Sequence, residues 1–346
     1  MANERWYRIL VSICSVIVML LILEGGARLL YQGQATLYWE LDPILLWKLK
    51  PNQHLVHAAA GNVPIDINSK GLRDDEFSTQ KPSGVYRILV LGDSITFGWG
   101  VRVEETYVQQ LEHLLNASFP FRRFEVINAG VPAYDTGREL AFLKKEGLSY
   151  EPDLVIVGFW WNDLYPTVFA NEKEKSNFFR DAQIREMLRH SAFLTLLKIK
   201  LIDRIQPIRF GVFDHSTLLH SEGNNNLEQR WARLVRPRLD ELVDVARQAG
   251  SDVMVVEFPA LLTEQPLDTL PELHTWMEKW GEENRAKVVD PLPAILKGYR
   301  ESGASNIKDF YWVSSQDPHP SAAVYKIVAE QLFEALTADS TLTSTR

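Results

Sequence analysis

The sequence predicts an α/β fold, in which helices cover both faces of a parallel sheet, because strand and helix patterns alternate from Tyr86 onward. Five short apolar runs are typical of buried strands, and they occupy residues 86–91, 124–128, 153–158, 252–257 and 286–289. Amphipathic patterns predict helices at residues 106–116, 137–148, 228–249, 272–284 and 320–337. We expect one main domain over residues 81–338, a length that is sufficient to bury a full core.

An apolar stretch at the N-terminus predicts a helix that crosses a membrane. Arg5 and Arg8 precede an uninterrupted run of apolar and small residues at 9–23. Continued toward Leu30, the helix has about the 20 residues that a bilayer requires. Positive charge before the run places the N-terminus in the cytoplasm and the following chain outside. We therefore expect residues 1–31 to anchor the protein in a membrane and the main domain to be exported, either periplasmic or extracellular.

A cleaved signal peptide is the alternative interpretation of the N-terminal segment, because Gly25-Gly26-Ala27 offers small residues to a signal peptidase. Glu24 and Arg28 follow the apolar run, and in a spanning helix they must pair with each other or lie at the membrane interface. Cys14, the single cysteine of the chain, lies inside the helix. The exported part therefore cannot form an internal disulfide.

Charge and histidine spacing limit the partners and cofactors that we expect. The formal net charge of -8 and the pI of about 5.6 argue against nucleic acid as a partner, since binding a phosphate backbone requires a basic face. His54 and His57 are close in sequence, but no cysteine pair or His-Glu-x-x-His spacing accompanies them. We expect no metal and no other cofactor. Nothing in the sequence indicates an oligomeric state.

Residues 32–80 have the signals of a linker and a β-hairpin extension. Leu41-Asp42-Pro43 and Lys50-Pro51-Asn52 are typical of turns, and residues 63–68 alternate in the manner of a short strand. We expect this hairpin to lie on the surface of the main domain. Arg73 follows it and has two interpretations: a solvent-exposed or structural residue, or a contact to an acidic group of a substrate.

Two motifs at opposite ends of the main domain indicate nucleophilic serine chemistry. The first predicted strand runs directly into Ser94, which places a hydroxyl at the carboxyl edge of a parallel sheet, and Asp317-Pro318-His319 lies near the other end. A serine hydroxyl is a weak nucleophile, so it needs a base that a carboxylate orients. In an extended segment residues i and i+2 point the same way, with Cα atoms about 6 to 7 Å apart, so Asp317 can reach His319. Asp309 is the alternative acid.

These motifs resemble those of the SGNH family, also called GDSL hydrolases, which is named for a serine, a glycine, an asparagine and a histidine. The four residues match, in family order, Ser94 in Gly92-Asp93-Ser94, Gly130 in Asn128-Ala129-Gly130, Asn162 in Trp161-Asn162-Asp163 and His319 in Asp317-Pro318-His319. One short motif is a weak signal, but four in order argue against coincidence. The resemblance covers residues 81–337 and indicates the membrane-tethered bacterial type. It implies a flavodoxin-like three-layer fold with strand order 2-1-3-4-5.

Two positions depart from the family pattern. Trp160 stands where the third motif usually has a glycine, and Asp317 lies two residues before His319 rather than three. The asparagine of the third motif, Asn162, is retained. Pro318 fixes the backbone between acid and base. The resemblance therefore still implies Asp317 as the acid that orients the histidine.

The resemblance implies a mechanism that needs no cofactor. Ser94 would attack an acyl ester while His319 takes its proton and Asp317 orients the imidazole. The backbone N–H groups of Ser94 and Gly130 and the side-chain amide of Asn162 would form the oxyanion hole. The expected function is a serine ester hydrolase that works through an acyl-serine. Carbohydrate esters, such as O-acetyl esters, are the leading substrate class.

Two other functions remain open from the sequence. An O-acyltransferase that acetylates a cell-surface polysaccharide would share the acyl-serine half-reaction. A glycan-binding domain without turnover would explain the altered third motif. Four tryptophans lie close to the catalytic motifs in sequence, and their rings could stack on sugars or pack in the core; they are Trp99, Trp160, Trp161 and Trp312.

Residues 164–227 are longer than an ordinary connection and predict a functional insertion or a mobile lid. Ser191 would cap a helix with an apolar stripe at Phe193, Leu194, Leu197, Leu201, Ile202 and Ile205. This helix would pack on the domain or, alternatively, rest on the membrane surface with Lys198, Lys200 and Arg204. Residues 223–226 predict an exposed loop, and residues 339–346 a flexible tail.

Overall fold

The structure is a computed structural model, and it describes residues 2–30, 37, 39–57, 62–166, 169, 171–189, 191–197, 224–261, 270–315 and 317–338. The chain forms two compact units, one of residues 1–35 and 169–213 and the other of residues 36–168 and 214–346. Several predicted features lie outside the described residues: the tail at 339–346, and Lys198, Lys200, Leu201, Ile202, Arg204 and Ile205 of the insertion helix.

The smaller unit contains the N-terminal helix, Ala2–Leu30. Within it, Glu4–Leu29 is the one stretch among the described residues that is long and apolar enough to cross a membrane. Most of its apolar side chains are exposed, which is the arrangement that a lipid-facing helix requires. Two helices of the predicted insertion, Glu172–Arg189 and Ala192–Leu197, belong to the same unit.

Glu24 links the N-terminal helix to the insertion. Its carboxylate accepts a hydrogen bond from Arg28 at 2.8 Å, so these two charged residues pair. It also accepts hydrogen bonds from the Ser191 hydroxyl at 2.7 Å and from the N–H groups of Ala192 and Phe193 at 3.1 and 3.2 Å. The first N–H groups of a helix have no partner within the helix. Glu24 therefore caps the helix Ala192–Leu197 from the N-terminal helix.

Two antiparallel hairpins open the larger unit. Strand β1 (Trp39–Asp42) pairs with β2 (Leu46–Leu49), and β3 (Gln53–His57) pairs with β4 (Val63–Ile67). Side chains of β4 alternate between buried and exposed, and its two isoleucines join the core of the unit. The alternation that predicted a strand at residues 63–68 therefore reflects packing of one face on the domain.

The main sheet consists of the parallel strands β5 (Val85–Gly92), β6 (Arg123–Gly130), β7 (Leu154–Phe159), β8 (Asp252–Glu257) and β9 (Lys287–Val289). Their order is β6-β5-β7-β8-β9. Counted from β5, this is the predicted order 2-1-3-4-5. Every residue of β7 is buried, as expected for a strand that is covered on both faces. The predicted α/β fold with a five-stranded parallel sheet is confirmed.

The larger unit also contains the helices Ser94–Phe97, Tyr107–Ser118, Thr136–Lys145, Asn224–Arg230, Arg236–Gln248, Pro271–Asn284, Leu292–Ser302, Ile307–Tyr311 and Ala322–Ala338. Three of these helices were not predicted: Ser94–Phe97, Leu292–Ser302 and Ile307–Tyr311. The exposed loop predicted at residues 223–226 is wrong over 224–226, which begin the helix Asn224–Arg230. Leu227 and Trp231 are buried in the core. Packing of these two side chains outweighs the turn preference of the asparagines.

Candidate active site

Three strand ends lie side by side at the carboxyl edge of the main sheet. Gly92 of β5 is in register with Gly130 of β6 and with Gly158 of β7. A Cβ atom on Gly130 would lie 2.3 Å from the backbone nitrogen of Phe97, and one on Gly158 would lie 2.4 Å from Oγ1 of Thr96. Glycine alone permits this close approach. The two glycines therefore let the helix that follows β5 pack directly against the neighbouring strand ends.

Ser94 is the first residue of that helix, Ser94–Phe97. The Asp93 side chain caps the helix by accepting a hydrogen bond from the N–H of Ile95 at 2.8 Å. Gly98 ends it in the left-handed conformation, with φ of 81°. The three residues after Ser94 are buried, whereas Ser94 is half-buried. Asp93 thus braces the turn that carries Ser94.

His319 lies just before the last predicted helix and reaches Ser94 from a short strand. Strand β10 (Trp312–Ser314) pairs with β11 (Asp317–Pro320), which carries both acid and base. His319 Nε2 lies 2.8 Å from Ser94 Oγ, and His319 Nδ1 lies 2.5 Å from Asp317 Oδ1. Because a carboxylate only accepts, Nδ1 carries the proton and Nε2 accepts from the serine hydroxyl. Asp309, the alternative acid, accepts hydrogen bonds from side chains at the start of its own helix.

The surroundings of Asp317 keep its carboxyl group charged. Burial raises its pKa, but hydrogen bonds from His319 and from Trp99 outweigh that effect, so the pKa lies below its usual range. The Trp99 ring also packs beside the imidazole, with ring centroids 6.1 Å apart. Trp99 therefore contacts both the base and its acid. Sequence reasoning placed this tryptophan near the site but gave it no contact with the acid.

The predicted oxyanion donors lie at three neighbouring positions of the sheet edge, and two of them already have acceptors. The Gly130 N–H donates to Oδ1 of Asn128 at 3.0 Å, and Nδ2 of Asn162 donates to Oδ2 of Asp93 at 2.7 Å. The amide of Asn162 has a second N–H, whereas Gly130 has one. The Ser94 N–H belongs to the first turn of its helix, where N–H groups lack intrahelical partners.

Asn128 was in a quoted motif but received no predicted role. Its amide nitrogen donates to the carbonyl of Thr96 at 2.9 Å while its oxygen accepts from Gly130. It thereby ties the end of β6 to the helix that carries Ser94. The sequence did contain a signal for this role, since an asparagine two residues before a glycine at a strand end often accepts a hydrogen bond from the glycine N–H.

Three acidic residues beside the serine turn are at most 3% exposed: Asp93, Glu139 and Asp163. Asp163 accepts hydrogen bonds from Thr136 and from the N–H of Trp160. Burial raises the pKa of Asp93. Burial and the neighbouring carboxylates raise the pKa values of Asp163 and Glu139, the latter well above its usual range. The carboxyl oxygens of Glu139 accept no hydrogen bond from the part of the chain that the structure describes.

The tryptophans near the site divide into core and surface. Trp160 and Trp161 are 8% and 0% exposed and pack edge to face, with ring centroids 5.3 Å apart. Trp160, which stands at the family's glycine position, is therefore a core residue. Trp99 and Trp312 are half-buried, and the indole N–H of Trp312 donates to the Leu261 carbonyl at 3.0 Å. Only the latter two have ring surface that a sugar could contact.

The part of the chain that contains these residues is similar to known proteins. A sequence model of the GDSL-like lipase/acylhydrolase family matches residues 90–327, which is more than half of the chain. No curated protein matches. Among solved structures, LAE5, an α/β hydrolase enzyme from the metagenome of Lake Arreo in Spain, is 16% identical, with a TM-score of 0.46 over 73% of this chain and 95% of that one. Axe2, an acetylxylan esterase from Geobacillus stearothermophilus, is 16% identical, with a TM-score of 0.43 over 72% and 93%.

Proposed function

The chain belongs to the GDSL-like lipase/acylhydrolase family, and on that basis we propose that it is a serine ester hydrolase with Ser94 as its nucleophile. The observation that carries the proposal is the continuous chain of hydrogen bonds from Ser94 Oγ to His319 at 2.8 Å and from His319 to Asp317 at 2.5 Å. A hydroxyl, an imidazole and a carboxylate in this arrangement supply the nucleophile, the base and the group that orients the base.

In the proposed reaction, Ser94 Oγ attacks the acyl carbonyl and its proton passes to His319 Nε2. Asp317 holds Nδ1–H and stabilises the imidazolium. When the tetrahedral intermediate breaks down, His319 returns the proton to the leaving alcohol and an acyl-serine remains. Water then attacks that ester, with His319 again taking a proton, and the acid product leaves as Ser94 is restored.

The oxyanion of the intermediate would meet the N–H groups of Ser94 and Gly130 and the free amide N–H of Asn162. Asp93 supports this assignment, because its bond to one Asn162 N–H fixes the plane of the amide. The Gly130 N–H becomes available when the oxyanion shares or replaces the Asn128 oxygen that it now contacts. A full negative charge is a stronger acceptor than a neutral amide oxygen, so this exchange favours the transition state.

We propose acyl esters of carbohydrates as the substrate class and an exported, membrane-anchored location for the enzyme. The arginine-flanked N-terminal helix supports this location. The bonds of Glu24 to residues 191–193 support a retained anchor over a cleaved signal peptide. Cleavage after Gly25-Gly26-Ala27 would remove Glu24 and its bonds to residues 191–193, leaving the Ser191 hydroxyl, which accepts from the Leu194 N–H at 3.1 Å, to cap the helix Ala192–Leu197. Immunoblots of membrane fractions should then show the uncleaved chain, and a shortened soluble form would contradict retention.

A fluorophosphonate probe tests whether the site is chemically active. We expect the detergent-solubilised full chain to be labelled on Ser94, as read from the modified peptide by mass spectrometry. Ser94→Ala should abolish labelling. Ser321→Ala is a matched control, because that serine lies close to His319 in sequence but its hydroxyl donates to the Phe310 carbonyl. Absence of labelling under conditions that label a known esterase would instead favour a glycan-binding domain.

Product analysis tests the acceptor and the substrate class. With an acetylated oligosaccharide as substrate we expect free acetate and deacetylated sugar. With p-nitrophenyl acetate, formation of the same acetyl-serine should release p-nitrophenol, and its hydrolysis should release acetate. Supplying p-nitrophenyl acetate together with an unmodified oligosaccharide separates hydrolysis from transfer. Release of free acetate supports the hydrolase. An increase in the mass of the sugar by one acetyl group would instead identify an acyltransferase.

A further inference from the structure

Arg73 lies outside the family-matched region, which begins at residue 90, yet its side chain is part of the fold around Ser94. Arg73 is 0% exposed. Its guanidinium donates hydrogen bonds to the carbonyl oxygens of Phe97 at 3.1 Å, Gly98 at 2.5 Å and Val101 at 2.7 Å, and to that of Pro64 at 3.2 Å. The complete burial of Arg73 excludes the interpretation in which it binds an acidic group of the substrate.

The acceptors of Arg73 include the residues that end the serine helix. A helix of four residues has no interior turn, so its last carbonyl groups depend on partners outside the helix. A guanidinium carries five N–H donors in a rigid planar fork, which suits several carbonyl groups at fixed positions. The guanidinium also stacks 5.0 Å from the centre of the Phe97 ring. Arg73 thus holds both the backbone and a side chain at the C-terminal end of the helix.

Asp74, the next residue, makes a comparable connection to β6. Its carboxylate accepts a hydrogen bond from the backbone N–H of Asn128 at 2.8 Å and from the Gln109 amide at 2.6 Å. Asn128 in turn contacts the Gly130 N–H and the Thr96 carbonyl. Asp74 therefore reaches the predicted oxyanion donor Gly130 through one intervening side chain.

We propose that Arg73 and Asp74 are positioning residues of the hydrolase site, an inference that rests on the function proposed above. Arg73 sets the position of the serine helix, and Asp74 sets the strand end that presents Gly130. Two adjacent residues of the extension thereby hold nucleophile and oxyanion donor at a fixed separation. Since a displacement of about 1 Å can slow an enzyme about 100-fold, this separation controls the rate of acylation.

Arg87 provides a matched control at the opposite end of the sheet. It is also 0% exposed, and it donates hydrogen bonds to the carbonyl oxygens of Ser78, Thr79 and Tyr150. It lies near the start of β5, whereas Ser94 follows the end of that strand. Replacing either arginine removes a buried guanidinium that binds backbone carbonyls, but only Arg73 touches the serine helix.

The experiment compares Arg73→Met with Arg87→Met in the detergent-solubilised full chain. Thermal unfolding defines a temperature at which both variants are folded, and there we measure kcat and KM for a small acyl ester and the rate constant of fluorophosphonate labelling. For Arg73→Met we expect kcat and the labelling rate to fall about 10- to 100-fold with KM nearly unchanged. For Arg87→Met we expect a lower melting temperature with both rates within about twofold of wild type.

Three further variants complete the test. Arg73→Lys keeps a cation but not the planar fork, so we expect a labelling rate between those of wild type and Arg73→Met. If Arg73→Met does not fold, Arg73→Lys takes its place in the comparison with Arg87→Met. Asp74→Asn should also slow labelling, whereas Asp153→Asn, which removes a carboxylate bound to the Arg87 N–H, should not. Equal rates for all folded variants, or equal losses for Arg73→Met and Arg87→Met, would overturn the proposal. A wild-type chain that is neither labelled nor active on esters would instead contradict the proposed function.

Discussion

The two ends of the main sheet stabilise buried charge in different ways. At the amino end, acids pair with cations: Glu125 accepts from the buried Arg87 at 2.7 Å, and Asp153 from Lys81 at 2.6 Å. At the carboxyl end, the hydrogen bonds that Asp93 and Asp163 accept from described side chains and N–H groups come from neutral donors: backbone N–H groups, the Asn162 amide and the Thr136 hydroxyl. Over the residues that the structure describes, the buried acids beside the serine turn therefore lack the Lys or Arg partner that Glu125 and Asp153 have, although Asp135 pairs with Arg138 elsewhere at the carboxyl end.

This difference indicates that the buried acids at the carboxyl end fix the positions of the site residues and lower the stability of the folded chain. A buried carboxylate without a cation is unfavourable, so the group retains its proton to higher pH. The raised pKa values of Asp93, Glu139 and Asp163 follow from that cost. In return, Asp93 fixes both the serine helix and the Asn162 amide. Substitutions of the same type at the two ends should therefore have different consequences.

The largest contrast is expected for the acid that orients the base. In Asp317→Asn the side chain could donate to His319 and favour the wrong tautomer, so we expect kcat to fall about 10,000-fold with KM nearly unchanged. Asp153→Asn at the amino end should lower the melting temperature slightly and leave kcat within about twofold. Steady-state kinetics on a p-nitrophenyl ester measures both. An Asp317→Asn enzyme with wild-type kcat would mean that another carboxylate orients His319.

A second contrast concerns two asparagines. Asn162→Ala removes a proposed oxyanion donor, and we expect kcat to fall about 100- to 1000-fold. Asn116, at the amino end of the sheet, has a structural role instead, because its side-chain amide forms hydrogen bonds with both the N–H and the carbonyl of Phe124. Asn116→Ala should therefore lower the melting temperature and spare kcat. If both variants lose kcat equally after correction for the folded fraction, Asn162 is a structural residue rather than a donor.

Much of the fold and the approximate site could be predicted from the sequence. The strands were predictable because buried parallel strands such as β7 are continuous apolar runs. Ser94 and His319 were predictable because their motifs are local, although the bond between them spans 225 positions. Helix Leu292–Ser302 was missed, since Gly298 in its middle has a low helix propensity. Pro293 lies in its first turn, where proline favours a helix start.

The positions of buried polar groups could not be predicted in the same way. Glu139 lies on a helix with an ordinary amphipathic pattern, where a charged residue predicts a solvent-facing position. Arg73 follows a hairpin and gave no local signal for its buried acceptors around residue 98. In both cases the burial depends on segments that are distant in sequence, so no window of the chain contains the information. The bonds that fix the geometry of the site are therefore the part that required the structure.

The smallest contrast is expected in stability, for two glutamates at opposite ends. The pKa of Glu139 is raised by burial and by the carboxylates of Asp163 and Asp93. The folded chain therefore keeps a proton that the unfolded chain releases near pH 4 to 5. The stability linked to this proton is fully present below that range and is lost as the pH rises toward the folded-state pKa. Glu139→Gln removes the titration, so its advantage should grow with pH.

We expect Glu139→Gln to melt close to wild type at pH 5 and about 2 to 4 °C above it at pH 8, a gain of roughly 1 kcal/mol. Glu125→Gln should do the opposite and lower the melting temperature at pH 8, because it deprives the buried Arg87 of its carboxylate. Differential scanning fluorimetry from pH 5 to pH 8 measures both variants. A Glu139→Gln chain that is less stable than wild type at pH 8 would show that the folded protein uses the charged form of Glu139. A cation would then have to pair with the Glu139 carboxylate, and the buried acids at the two ends of the sheet would be stabilised in the same way.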